Sequence, residues 1–391
     1  MKKTVLLFLL FPLFVTAQNN SGIRFQNLSW SQLLAKAKTE KKLVFVDAFT
    51  TWCGPCKQMS AEVFPEKTVG DFFNANFINA KIDMEKGEGL SIAEKYKVEA
   101  YPTYLFVNGD GKIVHKAIGY YEVPDFISIG KDAKDPAKQF YTLKEKYDNG
   151  IRQPELLYNL VIAASDLDDK DAGKIGKDYF KTQKNLLTKD NLELMLRLTD
   201  SPLDEHYSFL TKNETEAGKI LGDTEVKMAI DNIVLRYAIS KQDENAPVSK
   251  QIESVETIAK KYRPASAKNL AQAYGLYLSL QTEDFAAYEK IALEYTDRNI
   301  SELSAMQLNE IAWNFFLNVE NKSSLRKALA WILESIKKDS NSYNNDTAAN
   351  LYNKLGDKKN AKVYAEKAIS LGKAAGDDVS ETEELLKTLK Q

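Results

Sequence analysis

Only two cysteines occur in the 391 residues, and they stand three apart as Cys53-Gly54-Pro55-Cys56. Two thiols at that spacing can close a disulfide and open it again, so thiol–disulfide exchange is the first chemistry to consider. A purely structural bridge would tie together almost no chain and gain little entropically. A closed four-ligand zinc site has too few soft ligands, because there is no second cysteine pair and the histidines are His115 and His206 alone. We therefore expect no metal and no cofactor.

The residues around the pair say what must hold it. Leu43 to Phe49 is an apolar run with Val44, Val46 and Phe49 that breaks at Thr50-Thr51 and then reaches Cys53. That is how a buried strand hands over to a helix. A thiol at a helix N-terminus faces unpaired N–H groups and the positive end of the helix dipole, so its thiolate forms more readily than in a free peptide. Cys56 lies one turn in, within reach of it. Upstream, Trp30, Leu33, Leu34 and Ala37 recur at helical spacing. Downstream, the helix continues through Met59 and Val63, followed by a short helix near Val69 to Phe73, a strand from Phe77 to Ile82 and another helix from Ile92 to Tyr96. Thr103–Val107 and Lys112–Ile118 flank Asn108-Gly109-Asp110-Gly111, a hairpin signal. Strand–helix alternation ending in an antiparallel hairpin predicts a mixed sheet covered by helices. His115 alternates within a hairpin strand and reads as a surface residue.

Composition bounds the setting. The chain is long enough for two domains or more; 44% hydrophobic and 28% charged residues with a net charge of −2 give no sign of a nucleic-acid or anionic-membrane partner. Residues 1–17 carry Lys2 and Lys3, an apolar stretch from Val5 to Val15, and a small-residue ending at Ala17. This pattern is that of a cleaved secretory signal, and the run is short for a membrane span. We expect no stable membrane insertion after cleavage. Export from the cytoplasm would put the mature chain in an oxidising compartment, most simply a bacterial periplasm, where a lone cysteine pair can rest as a disulfide.

Trp52-Cys53-Gly54-Pro55-Cys56-Lys57, Asp47 six residues before the first cysteine, Tyr101-Pro102-Thr103 before a strand, and Gly119 after the hairpin together resemble the thioredoxin family. The resemblance covers about residues 22–131, and Val63-Phe64 and Ala80-Lys81-Ile82-Asp83 bring it nearer to secreted thioredoxin-like domains. It implies an α/β thioredoxin-like domain over 18–134, with Cys53 as nucleophile and Cys56 as the resolving thiol of a redox disulfide. It further implies Asp47 as proton acceptor for Cys56, with Lys81 beside it, and Pro102 as a cis proline packed against the disulfide. Trp52, Gly54, Pro55, Tyr101 and Pro102 would contact substrate, Trp52 by shielding the cysteines and Tyr101 through backbone pairing with an extended segment. A solvent-facing strand residue is the alternative for Asp47, as a surface lysine is for Lys81.

From about Asp132-Pro136 to the end, every strong periodicity is helical. Leu156, Leu157, Leu160, Val161 and Ala164 form one apolar stripe; Val226, Ala229, Ile230, Ile233, Val234 and Tyr237 form another. The charged cluster Asp166 to Asp171 reads as a solvated loop. Ala328, Ile332 and Ile336 recur 33 residues later as Ala361, Ala365 and Ile369, and Thr347 to Ala368 resembles a tetratricopeptide repeat. We expect an all-α helical-repeat domain over 135–391, an α-solenoid that is tetratricopeptide-like at about 305–375, whose stacked hairpins could hold a peptide or protein ligand. The whole then reads as a periplasmic protein-disulfide oxidoreductase, with disulfide-containing or dithiol proteins as substrates and an unidentified redox partner. The dipeptide Gly54-Pro55 with Asp47 suggests the reducing direction. An oxidase or isomerase using the same cysteines, or a helical adaptor with a thioredoxin-like docking module, are the alternatives.

Overall fold

A computed structural model describes residues 21–389, so the expected signal sequence at 1–17 lies outside the described residues. Near the start, Ser29 caps α1 (Trp30–Glu40), with its hydroxyl accepting from the Gln32 N–H while the Gln32 side chain accepts from the Ser29 N–H. Two orphan donors are thereby satisfied, and Leu33 and Ala37 are turned inward. The helix ends at Lys41 in the left-handed region, which swings the chain into β1 (Leu43–Phe49). There follow α2 (Gly54–Gln58), a π-helical turn at Met59–Val63, α3 (Lys67–Asn76), β2 (Phe77–Asp83), α4 (Glu88–Tyr96), β3 (Thr103–Val107), β4 (Ile113–Ile118) and α5 (Val123–Lys134).

The four strands form one mixed sheet in the order β2-β1-β3-β4, with β1 and β2 parallel and the other two pairs antiparallel. This is the thioredoxin-like α/β arrangement. In β1, Val44 to Ala48 are all buried, because the strand is central and helices cover both faces. Val44, Val46 and Ala48 pack with Leu33, Ala37, Ile92 and Tyr96 on one face. Phe45 faces the other way, among Met59, Val63, Phe73, Tyr104, Phe106 and Phe126. Each such fully buried ring contributes roughly 2–3 kcal/mol relative to an exposed one. Asp47 shares the face of Phe45, two residues further along the strand. Its burial is thus set by the sheet's central position and excludes the solvent-facing alternative. The hairpin turn is held by Asn108, whose Oδ1 accepts from the Asp110 and Lys112 N–H groups, and Gly111 takes the positive φ of 75° that the turn needs.

Fifteen helices follow among the described residues, from α6 (Phe140–Asp148) to α20 (Ser380–Leu389). By packing, the chain separates into two compact units, one ending at Leu198 and one running from Thr199, so α6, α7 (Pro154–Asp166), α8 (Ala172–Phe180) and α9 (Lys189–Leu198) group with the sheet. The polar stretch at Asp132–Pro136 does not mark that division. His115 is buried, not on the surface, because α6 lies on β4 and the Phe140 N–H donates to His115 Nδ1 at 3.2 Å. The stripe from Leu156 to Ala164 is buried as expected. Asp166 ends α7 and the residues after it do form a loop, but Lys144 ties it down by pairing with Asp169 at 3.4 Å and Asp171 at 2.6 Å.

In the second unit, α12 (Asp223–Ile239) buries Val226, Ile230, Ile233 and Val234, and α13 (Val248–Tyr262) ends at Arg263. Residues 305–375 hold four helices, α16 (Ala305–Asn318), α17 (Lys322–Lys338), α18 (Ser342–Leu355) and α19 (Lys358–Ala375). Ala328 and Ile332 on α17, and Ala361 and Ala365 on α19, are fully buried, whereas the third pair of the 33-residue recurrence, Ile336 and Ile369, is half-buried. The alanines let neighbouring helices approach closely.

Candidate active site

Cys53 sits at the N-cap of α2 in extended backbone, and its Sγ accepts from the Cys56 N–H at 3.1 Å. The two sulfurs form a disulfide, S–S 2.02 Å, and both residues are buried. Pro55 in the first turn has no N–H to satisfy, so it starts the helix without loss. The arrangement places the Cys53 sulfur where an N–H is already aimed at it. A thiolate there would be stabilised by that hydrogen bond and by the helix end.

Behind the cysteines, the strand register sets Asp47 opposite Lys81 on β2 and opposite Tyr104 on β3. Asp47 is only 1% exposed, and its Oδ2 lies 2.8 Å from Lys81 Nζ. The Lys81 ammonium is the one cation on this carboxylate, and neither Asp47 oxygen has another hydrogen-bond partner among the described residues. Burial raises the Asp47 pKa above the ordinary carboxylate range, and Lys81 offsets only part of that rise. The buried Tyr104 hydroxyl is likewise without a partner, and its pKa is raised by burial and then by Asp47. A carboxyl group held this way keeps its proton to higher pH than a solvated one and so can serve in proton transfer.

Lys81 is about a quarter exposed and does not stand free on the surface. Its ammonium donates to Ser60 Oγ at 2.6 Å and lies 4.8 Å from the Phe49 ring centroid and 5.2 Å from that of Phe64. Ser60 in turn donates to the Cys56 carbonyl at 2.8 Å. Two surface depressions open beside this group. One, of about 430 Å³, is lined by Phe49, Thr50, Cys56 and Lys57; the other runs between Gly22, Phe25, Phe64 and Pro65; Ser60 and Lys81 line both.

On the opposite side of the disulfide helix, Trp52 is 65% exposed, with its indole N–H donating to Glu85 at 2.9 Å and its ring edge-on to Tyr101. It is a surface platform and not part of the core. The Tyr101–Pro102 peptide bond is cis, Pro102 is buried, and its carbonyl accepts from the Gly119 N–H. Among the described residues, no hydrogen bond involves the Tyr101 backbone, which leaves its N–H and C=O for another chain. Gly54 and Pro55 are exposed beside the cysteines. Two neighbours carried no signal in the sequence reading: Ser60, which is four residues after Cys56 and therefore on its helical face, and Glu85, which follows β2.

Comparison with known proteins agrees with this geometry. A thioredoxin-like domain model matches residues 30–134. The chain is similar to thioredoxin H-type 2 of Nicotiana tabacum, 35% identical over 91 residues, which is 23% of this chain and 71% of that protein. It is 41% identical over 86 residues to a thioredoxin H-type of Oryza sativa subsp. indica, covering 22% of this chain and 65% of that one. A Bacteroides thetaiotaomicron protein solved in solution, provisionally described as a disulphide-isomerase, shares 47% identity and covers 29% of this chain and 94% of its own, with a TM-score of 0.28.

Proposed function

Through its N-terminal part this chain belongs to the thioredoxin family, and from that premise we propose that it is an exported thiol–disulfide oxidoreductase that reduces disulfides in other proteins. One observation carries the reading: the Cys53–Cys56 disulfide caps a helix in front of a buried, incompletely compensated Asp47. In the reducing direction the Cys53 thiolate attacks one sulfur of a substrate disulfide, forming a mixed disulfide and expelling the other substrate sulfur as a thiolate. Asp47 takes the proton of Cys56. The Cys56 thiolate then attacks Cys53 Sγ, which releases the second substrate sulfur and leaves the protein oxidised by two electrons. A separate dithiol donor must return those electrons, since the chain holds no other cysteine.

Tyr101 and Pro102 give this reading its substrate groove, because the unpaired Tyr101 backbone can add an extended segment beside the cysteines. Trp52 supplies an apolar wall. Export to the periplasm is supported by the Lys2–Ala17 pattern, and no described helix is long and apolar enough to cross a membrane. The helical region, which extends well beyond the part shared with the thioredoxins, is assigned to partner binding, with tetratricopeptide-like character at about 305–375 supported by the sequence recurrence there.

The test is the reduction potential of the pair in the mature chain, by equilibration against glutathione or dithiothreitol. A value near the thioredoxin range of about −270 mV supports the reductase; one near about −120 mV makes the protein an oxidant; no reversible transition ends the enzymatic reading. Cys56→Ser should accumulate mixed disulfides through Cys53. Partner capture that persists unchanged after loss of both cysteines would instead favour the adaptor.

A further inference from the structure

We propose that Ser60 is a positioning residue for the exchange site: its hydroxyl pins the Lys81 ammonium against the Asp47 carboxylate and couples it to the backbone of Cys56. The directions of its two hydrogen bonds are forced. An ammonium has no lone pair, so Lys81 must donate to Ser60 Oγ at 2.6 Å; a carbonyl has no proton, so Ser60 must donate to the Cys56 oxygen at 2.8 Å. The hydroxyl therefore serves as acceptor and donor at once, and both roles are filled.

Pinning matters because little else fixes the ammonium in direction. Its 2.8 Å approach to Asp47 Oδ2 is a single charge-assisted contact, and the rings of Phe25, Phe49 and Phe64 offer attraction over their faces but no single site. Besides Asp47, Ser60 is the one group to which the Lys81 ammonium donates among the described residues. The four-carbon stem is flexible, and depressions open on both sides of it, so a released Lys81 has solvent-facing positions to occupy. At the start of the π-helical turn the Cys56 carbonyl accepts from the Met59 N–H as well as from the Ser60 hydroxyl four residues on.

The catalytic meaning rests on the reading of Asp47 above, but the pinning can be measured without turnover. In the oxidised full-length chain the cysteines do not titrate, so the groups facing Asp47 are Lys81 from β2 and Tyr104 from β3. The Asp47 carboxyl is followed by carbon-13 NMR and assigned by its loss in Asp47→Asn. Ser60→Ala should move its midpoint upward by about one pH unit, because an opposite charge within a few ångströms is worth about that much or more. Ser60→Thr should retain the wild-type midpoint. Lys81→Met should shift it at least as far as Ser60→Ala, and adding Ser60→Ala to Lys81→Met should add nothing. Alanine suits a helical site better than serine, so the fold should survive. An unmoved midpoint in Ser60→Ala, or a full additional shift in the double variant, overturns the proposal. A wild-type chain with no reversible dithiol–disulfide transition would overturn the proposed function while leaving the titration result standing.

Discussion

Asp47 in the first unit and Glu214 in the second are both carboxylates set against a cation inside the fold, yet their pKa values move in opposite directions. Glu214 lies on α11 (Glu214–Leu221), where both of its oxygens accept from the Arg263 guanidinium, at 2.6 and 3.0 Å, while Arg263 Nε donates to Asp231 on α12. Those directed bonds outweigh desolvation and lower the Glu214 pKa. Asp47 is 1% exposed against about 30% for Glu214, so at Asp47 desolvation outweighs both the charge and the hydrogen bond of Lys81 and its pKa rises. A cation nearby therefore does not define a stabilising pair. On the proposed function, the difference is between a group fastened for structure and one that exchanges a proton, and three measurements can break or sharpen it.

The largest effect is expected from Arg263→Ala. Arg263 is mostly buried, and its removal leaves Glu214 and Asp231 without the cation that bonds both, with only the weaker pull of Lys227 remaining on Glu214. Breaking such a pair from one side costs on the order of 3–4 kcal/mol. Urea denaturation followed by far-UV circular dichroism should show that loss. A cost under about 1 kcal/mol would mean that the network is no more than a solvated surface cluster, and the contrast with Asp47 would lapse. The Glu214 sign can be checked in the same titrations: its lowered folded pKa contributes stability above its unfolded value that disappears as pH falls through the folded one.

Next in size is His115, a base in the first unit with a partner for one of its nitrogens only. Nδ1 accepts from the Phe140 N–H, so the neutral ring carries its proton on Nε2, which has no partner among the described residues. Burial lowers the pKa to about 4, against the smaller opposing pull of Asp132 and Asp166. Between about 6.5 and about 4 the unfolded chain binds a proton that the folded chain refuses, so stability is full above that window and falls as the pH drops through it. The loss is on the order of 3 kcal/mol. His115→Asn, with an amide oxygen available to the Phe140 N–H, should remove most of that slope. If the slope persists, other groups cause it and the docking of α6 on β4 does not depend on a neutral His115.

What was legible in the sequence follows from how local each signal is. The Leu43–Phe49 strand, the cysteine-bearing helix start and the Asn108–Gly111 turn are each written within a few residues, and all three are found. So are the helical stripes, because burying a face requires a repeat of 3.6 residues. His115 was misread because strict alternation assumes that β4 has one wet face, whereas α6, more than twenty residues on, covers it. The packing division at Leu198 is not singled out either, since helices run on both sides of it and the break at Ser201-Pro202 is like those at Pro154, Pro247 and Pro264. Ser60 was invisible for a simpler reason. A serine four residues after a cysteine is ordinary, and only the parallel register of β1 and β2 brings Lys81 to it.

The smallest effect, and the most discriminating, belongs to Asp47→Asn. Because the folded pKa is raised, the native state holds the Asp47 proton to higher pH than the unfolded chain does. Stability linked to this group is therefore present at low pH and lost as pH rises through the folded value, the reverse of Glu214. Asparagine keeps the shape and removes the charge, and Lys81, about a quarter exposed, can turn to water. The substitution should leave stability at neutral pH unchanged or raise it by about 1 kcal/mol, in contrast to the loss for Arg263→Ala. Exchange should slow by roughly 10²-fold, the usual size of a lost general base, with Cys56 attack as the step affected. Paired measurements of unfolding free energy and single-turnover release of a mixed disulfide would separate the two quantities. A variant that is both destabilised and fully active would show that Asp47 is a structural carboxylate after all, of the same kind as Glu214.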